Sequence, residues 1–120
     1  MKIALIQQTA SEDNEANILK GLSNIDKAAE KGAELAVFAE LAFTRFYPQY
    51  RASGDISDLA EPVPGPTTER FMAKAKEHNM VIILNLFEIE KGHTYDSSPV
   101  INSDGSLLGT TRMVHIADYE

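Results

Sequence analysis

The chain has 120 residues, of which 43% are hydrophobic and 24% are charged, so it is long enough for one domain with an apolar core. Because these residues include no cysteine, they can form no disulfide, no thiolate metal site and no cysteine nucleophile. A formal net charge of −7 with scattered basic residues argues against nucleic-acid binding, and no apolar run approaches the ~20 residues of a membrane span. Since the amino terminus lacks a signal-peptide pattern, we expect a cytoplasmic protein that binds neither nucleic acid nor membranes.

The first third of the chain predicts a strand, a helix and a second strand. Residues 2–8, KIALIQQ, are typical of a short buried strand, and residues 33–40, AELAVFAE, predict another. Between them an apolar stripe recurs every three or four residues, and Asp13 or Asn14 can cap the helix that Gly32 ends. The stripe consists of Ile18, Leu22, Ile25 and Ala29, widened by Leu19 and Ala28. Two such strands are expected to be parallel and joined by a right-handed crossover.

Glu40 ends the second predicted strand, directly after an apolar run. A carboxylate there is either solvated just past the strand, paired with another group, or used in chemistry, since a buried unpaired charge is costly. In parallel sheets the ligand crevice lies beyond the carboxyl ends of the strands. We therefore expect Glu40 to face a crevice and to be largely shielded from solvent.

The remainder of the chain predicts a long loop, a helix and three strands. The loop, residues 43–66, contains four aromatic residues and is expected to border a pocket: Phe43, Phe46, Tyr47 and Tyr50. Pro66 opens a second helix that buries Phe71 and Ala75, and residues 80–90 predict one strand. Two further strands are expected to join at an Asp104–Gly105 turn.

Other candidate groups carry weaker signals. His115 is expected to be a half-buried structural residue, and His78 and His93 stand alone, as surface or helix-end histidines do. Ser97 and Ser98 lack a nucleophile-elbow context. No cluster has metal-ligand spacing and no glycine-rich phosphate loop is present, so we expect no metal and no cofactor. The residues by themselves thus predict an α/β domain with one well-placed acid, and a flavodoxin-like binding module stays open as an unfavoured alternative.

Several motifs together resemble a known family. They are the opening KIALIQ, the segment GAELAVFAELAFTRFYP, the helix after GPTTERF, and the hairpin TYDSSPVINSDGSLLG. Over essentially all 120 residues this combination strongly resembles the N-terminal part of the nitrilase superfamily, the carbon–nitrogen hydrolases, nearest to its amidase and carbamoyl-amide branches. The resemblance implies that residues 1–120 are the incomplete N-terminal portion of an α/β domain built as an α-β-β-α sandwich.

The resemblance also implies a Glu–Lys–Cys mechanism, in which Glu40 falls on the family's general base. Two departures from the family pattern concern the other members of the triad. Met113 occupies the lysine position in TRMVHI, which leaves Arg112, one residue earlier, as the nearest cation. The family's cysteine lies some tens of residues beyond Glu120.

These implications give the functional expectations. We expect a longer parent enzyme that hydrolyses non-peptide carbon–nitrogen bonds in small amide or N-carbamoyl amide substrates. Phe46 and Tyr47 are expected to contact the substrate, and the 120-residue chain alone is expected to be inactive. An exposed sheet face is expected to favour a homo-oligomer. The alternative is a non-catalytic domain that keeps the fold for binding or oligomer contacts.

Overall fold

The structure is a computed structural model, and it describes residues 1–49, 54 and 56–115. One sheet contains six strands, which are β1 (Ile3–Ile6), β2 (Leu35–Phe38), β3 (Val81–Ile83), β4 (Leu86–Glu90), β5 (His93–Ile101) and β6 (Leu107–Arg112). The two α-helices are α1 (Asn14–Glu30) and α2 (Pro66–His78), and short 3-10 turns cover Tyr47–Gln49 and Ser57–Leu59. Among the described residues, no helix has the length and apolar character needed to cross a membrane.

The predicted strand–helix–strand unit is confirmed. β1 and β2 are parallel, with Ile3 opposite Leu35, and α1 lies between them in the chain. Asp13 is the helix cap, because its carboxylate accepts a hydrogen bond of 3.0 Å from the Ala16 N–H. Gly32 follows the helix with a φ of +75°. Leu19 was predicted to widen the buried stripe, but it is 53% exposed because it lies at the edge of that face.

The predicted strand over residues 80–90 is divided into β3 and β4. Both segments pair antiparallel with β5 in one register, since Ile83 lies opposite Val100 and Leu86 lies opposite Ser97. The interruption therefore falls where Leu84 faces Pro99, which has no N–H to donate to the ladder. The Leu84 N–H still donates to the Pro99 carbonyl at 3.1 Å, so the two segments continue one line of the sheet.

The carboxyl-terminal hairpin forms as predicted. β5 and β6 are antiparallel, and Gly105 occupies the turn with a φ of +86°. The Asp104 carboxylate stabilises this turn by accepting a hydrogen bond of 2.8 Å from the Ser106 N–H. Tyr50, one of the four aromatic residues of the predicted loop, lies outside the described residues.

The two faces of the sheet differ in what covers them. Both helices pack on one face, where the buried core includes Ile25 and Ala28 of α1, Phe71 and Ala75 of α2, and Ala36, Phe38 and Ile82 of the strands. Among the residues that the structure describes, no helix packs on the opposite face, which we call the open face. It is apolar and partly solvent-exposed, and Ile3 and Leu5 are 52% and 77% exposed. Its members are Ile3, Leu5, Leu35, Val37, Val81, Ile83 and Val100.

Candidate active site

The sequence predicted Glu40 at the carboxyl end of the second strand, and the structure places it two residues beyond the last residue of β2. The residue after it, Leu41, is buried and has a φ of +48°, a left-handed conformation that side chains other than glycine rarely adopt. The expectation that Glu40 is largely shielded is wrong for the described residues, because its side chain is exposed. The chain has left the hydrogen-bonded part of the sheet by this point, and the carboxyl group reaches the surface.

A buried amide holds the segment that follows Glu40. The side-chain oxygen of Asn85, between β3 and β4, accepts a hydrogen bond of 2.7 Å from the Leu41 N–H. Its side-chain nitrogen donates to the Asp96 carboxylate at 2.6 Å and to the Ser98 hydroxyl at 3.1 Å. Asn85 and Asp96 are each only 8% exposed. Asn85 therefore connects the end of β2 with two side chains of β5.

Two acidic groups meet at this place. Partial desolvation raises the pKa of the Glu40 carboxyl above its ordinary range, and a hydrogen bond with the Asp96 carboxyl and its negative charge raise it further. Among the described residues, no basic side chain contributes to this shift. A carboxylate with a raised pKa binds a proton more readily, which is the property that a general base needs.

The two aromatic candidates of the loop have different surroundings. Tyr47 packs on Phe87 of β4 with ring centroids 4.9 Å apart. Burial raises the pKa of the Tyr47 phenol, and the charges of Asp96 and Glu40 raise it further, so this ring lies beside the acidic pair. Phe46 is 47% exposed, and no described contact links it to Glu40. The structure thus brings Tyr47, but not Phe46, to the acid.

Met113 and Arg112 project to opposite faces of the sheet. The Met113 N–H donates to the Asp96 carbonyl at 2.8 Å, which extends the β5–β6 register by one residue and sets Met113 opposite Asp96 on the open face. Arg112 lies opposite Ser97, whose side chain points to the helix-covered face. The position that the resemblance assigns to lysine therefore carries an uncharged, 43% exposed thioether beside the acidic pair.

Arg112 is bound to two other carboxylates on the helix-covered face. Its Nε and Nη2 donate to Glu88 at 2.9 and 2.6 Å, and Nη2 also donates to Glu90 at 2.9 Å. Its guanidinium lies 3.8 Å from the centroid of the Tyr95 ring. The bonds with Arg112 hold the pKa of the buried Glu88 carboxyl below its usual range, and the Ser97 hydroxyl also donates to Glu88. The structure does not bring Arg112 to Glu40.

A cleft of about 210 Å³ borders the same loop on the side of the two helices. Its walls include Ile18 of α1, Thr67 of α2 and Asn85. The hydroxyl of Thr44 is buried and has no hydrogen-bond partner, and Thr44 also lines this cleft. The loop therefore borders a pocket, as expected. Glu40 is not among the residues that line this pocket.

One group among the described residues has ligand atoms close enough for a metal ion, namely Asp26, Glu77 and His78. Lys74 already supplies a cation there, since its ammonium lies 2.7 Å from Asp26 and 3.0 Å from Glu77. His78 was expected to stand alone, but its Nε2 lies 2.7 Å from the Asp26 carboxylate. Sequence spacing could not reveal this group because its members come from two helices. The described contacts make it an ion-pair network between α1 and α2.

Comparison with known proteins identifies the family to which this chain belongs. Residues 2–120 match the carbon–nitrogen hydrolase family, and the chain is a member of that family. It is 30% identical over 124 residues to omega-amidase NIT2 of Pongo abelii, and 32% identical over 117 residues to N-carbamoylputrescine amidase of Solanum lycopersicum. These alignments cover 99% and 97% of this chain but only 42% and 39% of the relatives. The chain therefore spans about two fifths of their length.

Solved structures of the same superfamily have the same fold. A carbon–nitrogen hydrolase from Helicobacter pylori G27 matches 97% of this chain and 40% of its own, with a TM-score of 0.87 and 27% identity. An amidase from Nesterenkonia sp. matches 99% of this chain and 44% of its own, with a TM-score of 0.76 and 21% identity, which supports the fold alone. The predicted family and the predicted α/β, nitrilase-like fold class are confirmed.

Sequence reasoning did not find Asn85 or Asp96. A signal for Asn85 was present, because it is the single polar residue in the run MVIILNLF, residues 80–87. A polar group at the centre of a buried strand requires hydrogen-bond partners, and its partners become the frame of a polar site. Asp96 gave no such signal, since its neighbours in the chain are polar and the strand around it has no clear alternation.

The Arg112 contacts predict a stability effect with a defined pH dependence. Arg112→Met leaves the buried Glu88 carboxylate without its cation, so we expect a clear loss in the free energy of unfolding at neutral pH. Because the folded-state pKa of Glu88 is lowered, the pair stabilises the fold above the pKa of an unfolded glutamate, ~4.3, and this stabilisation is lost as the pH falls through the lowered value.

Urea unfolding of Arg112→Met and of the original chain, from neutral pH into the acid range, measures this difference. Glu90→Gln is the matched control, since it removes only the 49% exposed partner of Arg112 and should change stability little. An Arg112→Met variant as stable as Glu90→Gln at neutral pH would contradict the structural role.

Proposed function

We propose that the longer protein of which this chain is a part hydrolyses carbon–nitrogen bonds other than peptide bonds, with Glu40 as general base. The observation that carries the proposal is the position of Glu40 in a member of the carbon–nitrogen hydrolase family. It lies just beyond a parallel strand, and its pKa is raised by desolvation and by Asp96.

The proposed reaction takes its nucleophile from outside these residues. A thiol gives its proton to the Glu40 carboxylate, and the resulting thiolate attacks the carbonyl carbon of the amide. The nitrogen leaves with a proton, and water then hydrolyses the acyl-enzyme. Glu40 takes the proton from the thiol and then gives it to the leaving nitrogen. Its carboxyl is exposed, so reacting groups can approach it, and its raised pKa makes it a better proton acceptor.

Met113 cannot supply the positive charge that would stabilise the tetrahedral intermediate, because its thioether is uncharged. Arg112 was the nearest cation in the sequence, but its side chain is bound to Glu88 and Glu90 on the other face. We therefore propose that Arg112 acts on the reaction only by anchoring β6, and that another donor stabilises the oxyanion. Such a donor typically contributes several kcal/mol to transition-state stabilisation.

Small amides or N-carbamoyl amides are the proposed substrates. The names of the relatives, an omega-amidase and an N-carbamoylputrescine amidase, support this class. Tyr47, packed on Phe87 beside the acidic pair, is the proposed apolar wall for the substrate, and Phe46 is proposed to contact it from the exposed side of the loop.

A second candidate function is a non-catalytic domain that keeps the fold for assembly. Two observations favour it, the methionine beside the acidic pair and the apolar open face. We propose that the open face is covered by a second sheet in an α-β-β-α sandwich, and that the assembled protein is a homo-oligomer. Exposed Ile3 and Leu5 support the first proposal, because apolar patches of this kind are normally covered.

The role of Glu40 predicts the behaviour of Glu40→Gln in the longer protein. The amide keeps the size of the side chain but cannot accept the thiol proton, so kcat/KM on an amide substrate should fall ~10²-fold or more. Because Glu40 is exposed, the melting temperature should stay close to that of the original protein. Glu30→Gln, which removes an exposed carboxylate from α1 on the other side of the sheet, is the matched control. Full activity in a folded Glu40→Gln protein would refute the proposed base.

The proposed role of Tyr47 concerns selectivity. Tyr47→Ala removes the wall that packs on Phe87, so the ratio of kcat/KM for a long and a short amide should change by about tenfold, the usual value of a lost apolar contact. Tyr47→Phe keeps the ring and should keep that ratio. If Tyr47→Ala lowers only the melting temperature and leaves the ratio unchanged, the ring has a packing role alone.

The isolated 120-residue chain should hydrolyse neither amides, carbamoyl amines nor nitriles. It contains no thiol, and its two central serines are already bonded, Ser97 to Glu88 and Ser98 to Asn85. Product release measured against a buffer blank tests this expectation. Turnover that disappears in Glu40→Ala would show that the chain supports catalysis by itself, for example through a water activated by Glu40.

A further inference from the structure

Asp96 has the strongest interactions with the proposed base, and neither its sequence neighbourhood nor the proposed mechanism explains its burial. It is an acid at 8% exposure in the middle of β5. Buried carboxylates are normally neutralised by a cation or fully hydrogen-bonded. The described partners of Asp96 are instead the neutral amide of Asn85 and the carboxyl of Glu40.

The geometry fixes where the Asp96 carboxylate lies. Asn85 donates to it at 2.6 Å and, with its other side-chain atom, accepts from the Leu41 N–H at 2.7 Å. Leu41 is the residue next to Glu40 and is held in a left-handed conformation. One buried amide thus determines both the backbone that carries Glu40 and the position of the acid that contacts it.

Among the described residues, the groups around Glu40 and Asp96 bring no positive charge. Asp96 comes from β5 and Tyr47 from the loop after β2, and these are the described titratable groups that interact with Glu40. From β6 the facing residue is Met113, which brings no charge, and from β4 it is Phe87. Arg112 is on the opposite face, where it binds Glu88.

We propose that Asp96 is a positioning residue for Glu40: Asn85 holds the Asp96 carboxylate beside the backbone that carries Glu40, and from there Asp96 orients the Glu40 carboxyl. This inference deepens the proposed function and depends on it for the catalytic consequence. Besides desolvation, the hydrogen bond with the Asp96 carboxyl and its negative charge raise the pKa of the Glu40 carboxyl. Glu40 accordingly releases its proton at a higher pH than an isolated glutamate does.

The test is a carbon-13 NMR titration of the whole protein labelled at the side-chain carboxyl carbons of Glu and Asp. Glu40→Gln identifies the Glu40 signal by its disappearance. We expect the titration midpoint of Glu40 to lie above ~4.3, the ordinary value for glutamate, and to fall in Asp96→Asn. The asparagine oxygen can still accept from Asn85, and its amide can donate to Glu40, so the frame is kept while the negative charge is removed. Glu30→Gln is the matched control and should leave the midpoint unchanged.

A second measurement keeps the proposal testable if Asp96→Asn does not fold. Glu40 is exposed, so Glu40→Gln preserves the fold and identifies the Glu40 signal. A Glu40 midpoint at or below ~4.3 in the original protein would then contradict the proposal. In the active protein, the acid limb of the kcat/KM profile should move to lower pH in Asp96→Asn, which a merely structural role would not produce.

The titration shows whether Glu40 and Asp96 interact, and it does not require an activity assay. A Glu40 midpoint that is the same in Asp96→Asn would overturn the proposal. Retained activity in Glu40→Gln would instead refute the proposed function, and the titration would still report whether the two acids interact.

Discussion

The site depends on one buried side chain, the amide of Asn85. An amide in an apolar sheet is stable only when its donors and acceptor are bonded, and here the backbone after Glu40, the Asp96 carboxylate and the Ser98 hydroxyl provide those bonds. The chain segments that contribute them are far apart in sequence. Their meeting at Asn85 aligns the end of β2 with the middle of β5, and the acidic pair forms because of that alignment.

The two faces of the sheet separate two kinds of acidic group. On the helix-covered face, Glu88 is neutralised by Arg112 and accepts from Ser97, and its lowered pKa shows that the charged form is the stable one. On the open face, Glu40 meets another carboxyl and its pKa moves the other way. This difference follows from the alternation of side chains along a strand. Arg112 and the next residue, Met113, point to opposite faces, so the cation reaches Glu88 and the uncharged thioether lies on the face of Glu40. Acidic groups are therefore neutralised by a cation on one face and lie beside each other, without such a cation among the described residues, on the other.

Two features near Glu40 are unfavourable for folding. Leu41 adopts a left-handed backbone conformation that is unfavourable for a branched side chain, and Glu40 is held near a like charge. Neither feature favours folding. The core on the other face, where Phe38, Phe43 and Phe71 pack with ring centroids 4.9 to 5.4 Å apart, provides stability that such a site requires. The open face, by contrast, is apolar without a cover among the described residues.

Local rules were sufficient for most elements of this chain, although not for the division of residues 80–90 into β3 and β4, and for the position of Glu40. The period of the apolar residues determined α1, Asp13 determined where it begins, Gly105 determined the hairpin turn, and the end of β2 located Glu40, because each of these depends on neighbours within a few residues. The partner of Glu40, the face of Arg112 and the cluster of Asp26 with His78 were decided only by the tertiary structure. They depend on which strands and helices pack together and in which register, and those choices join residues 22 to 56 positions apart in a chain whose local pattern carries no record of them.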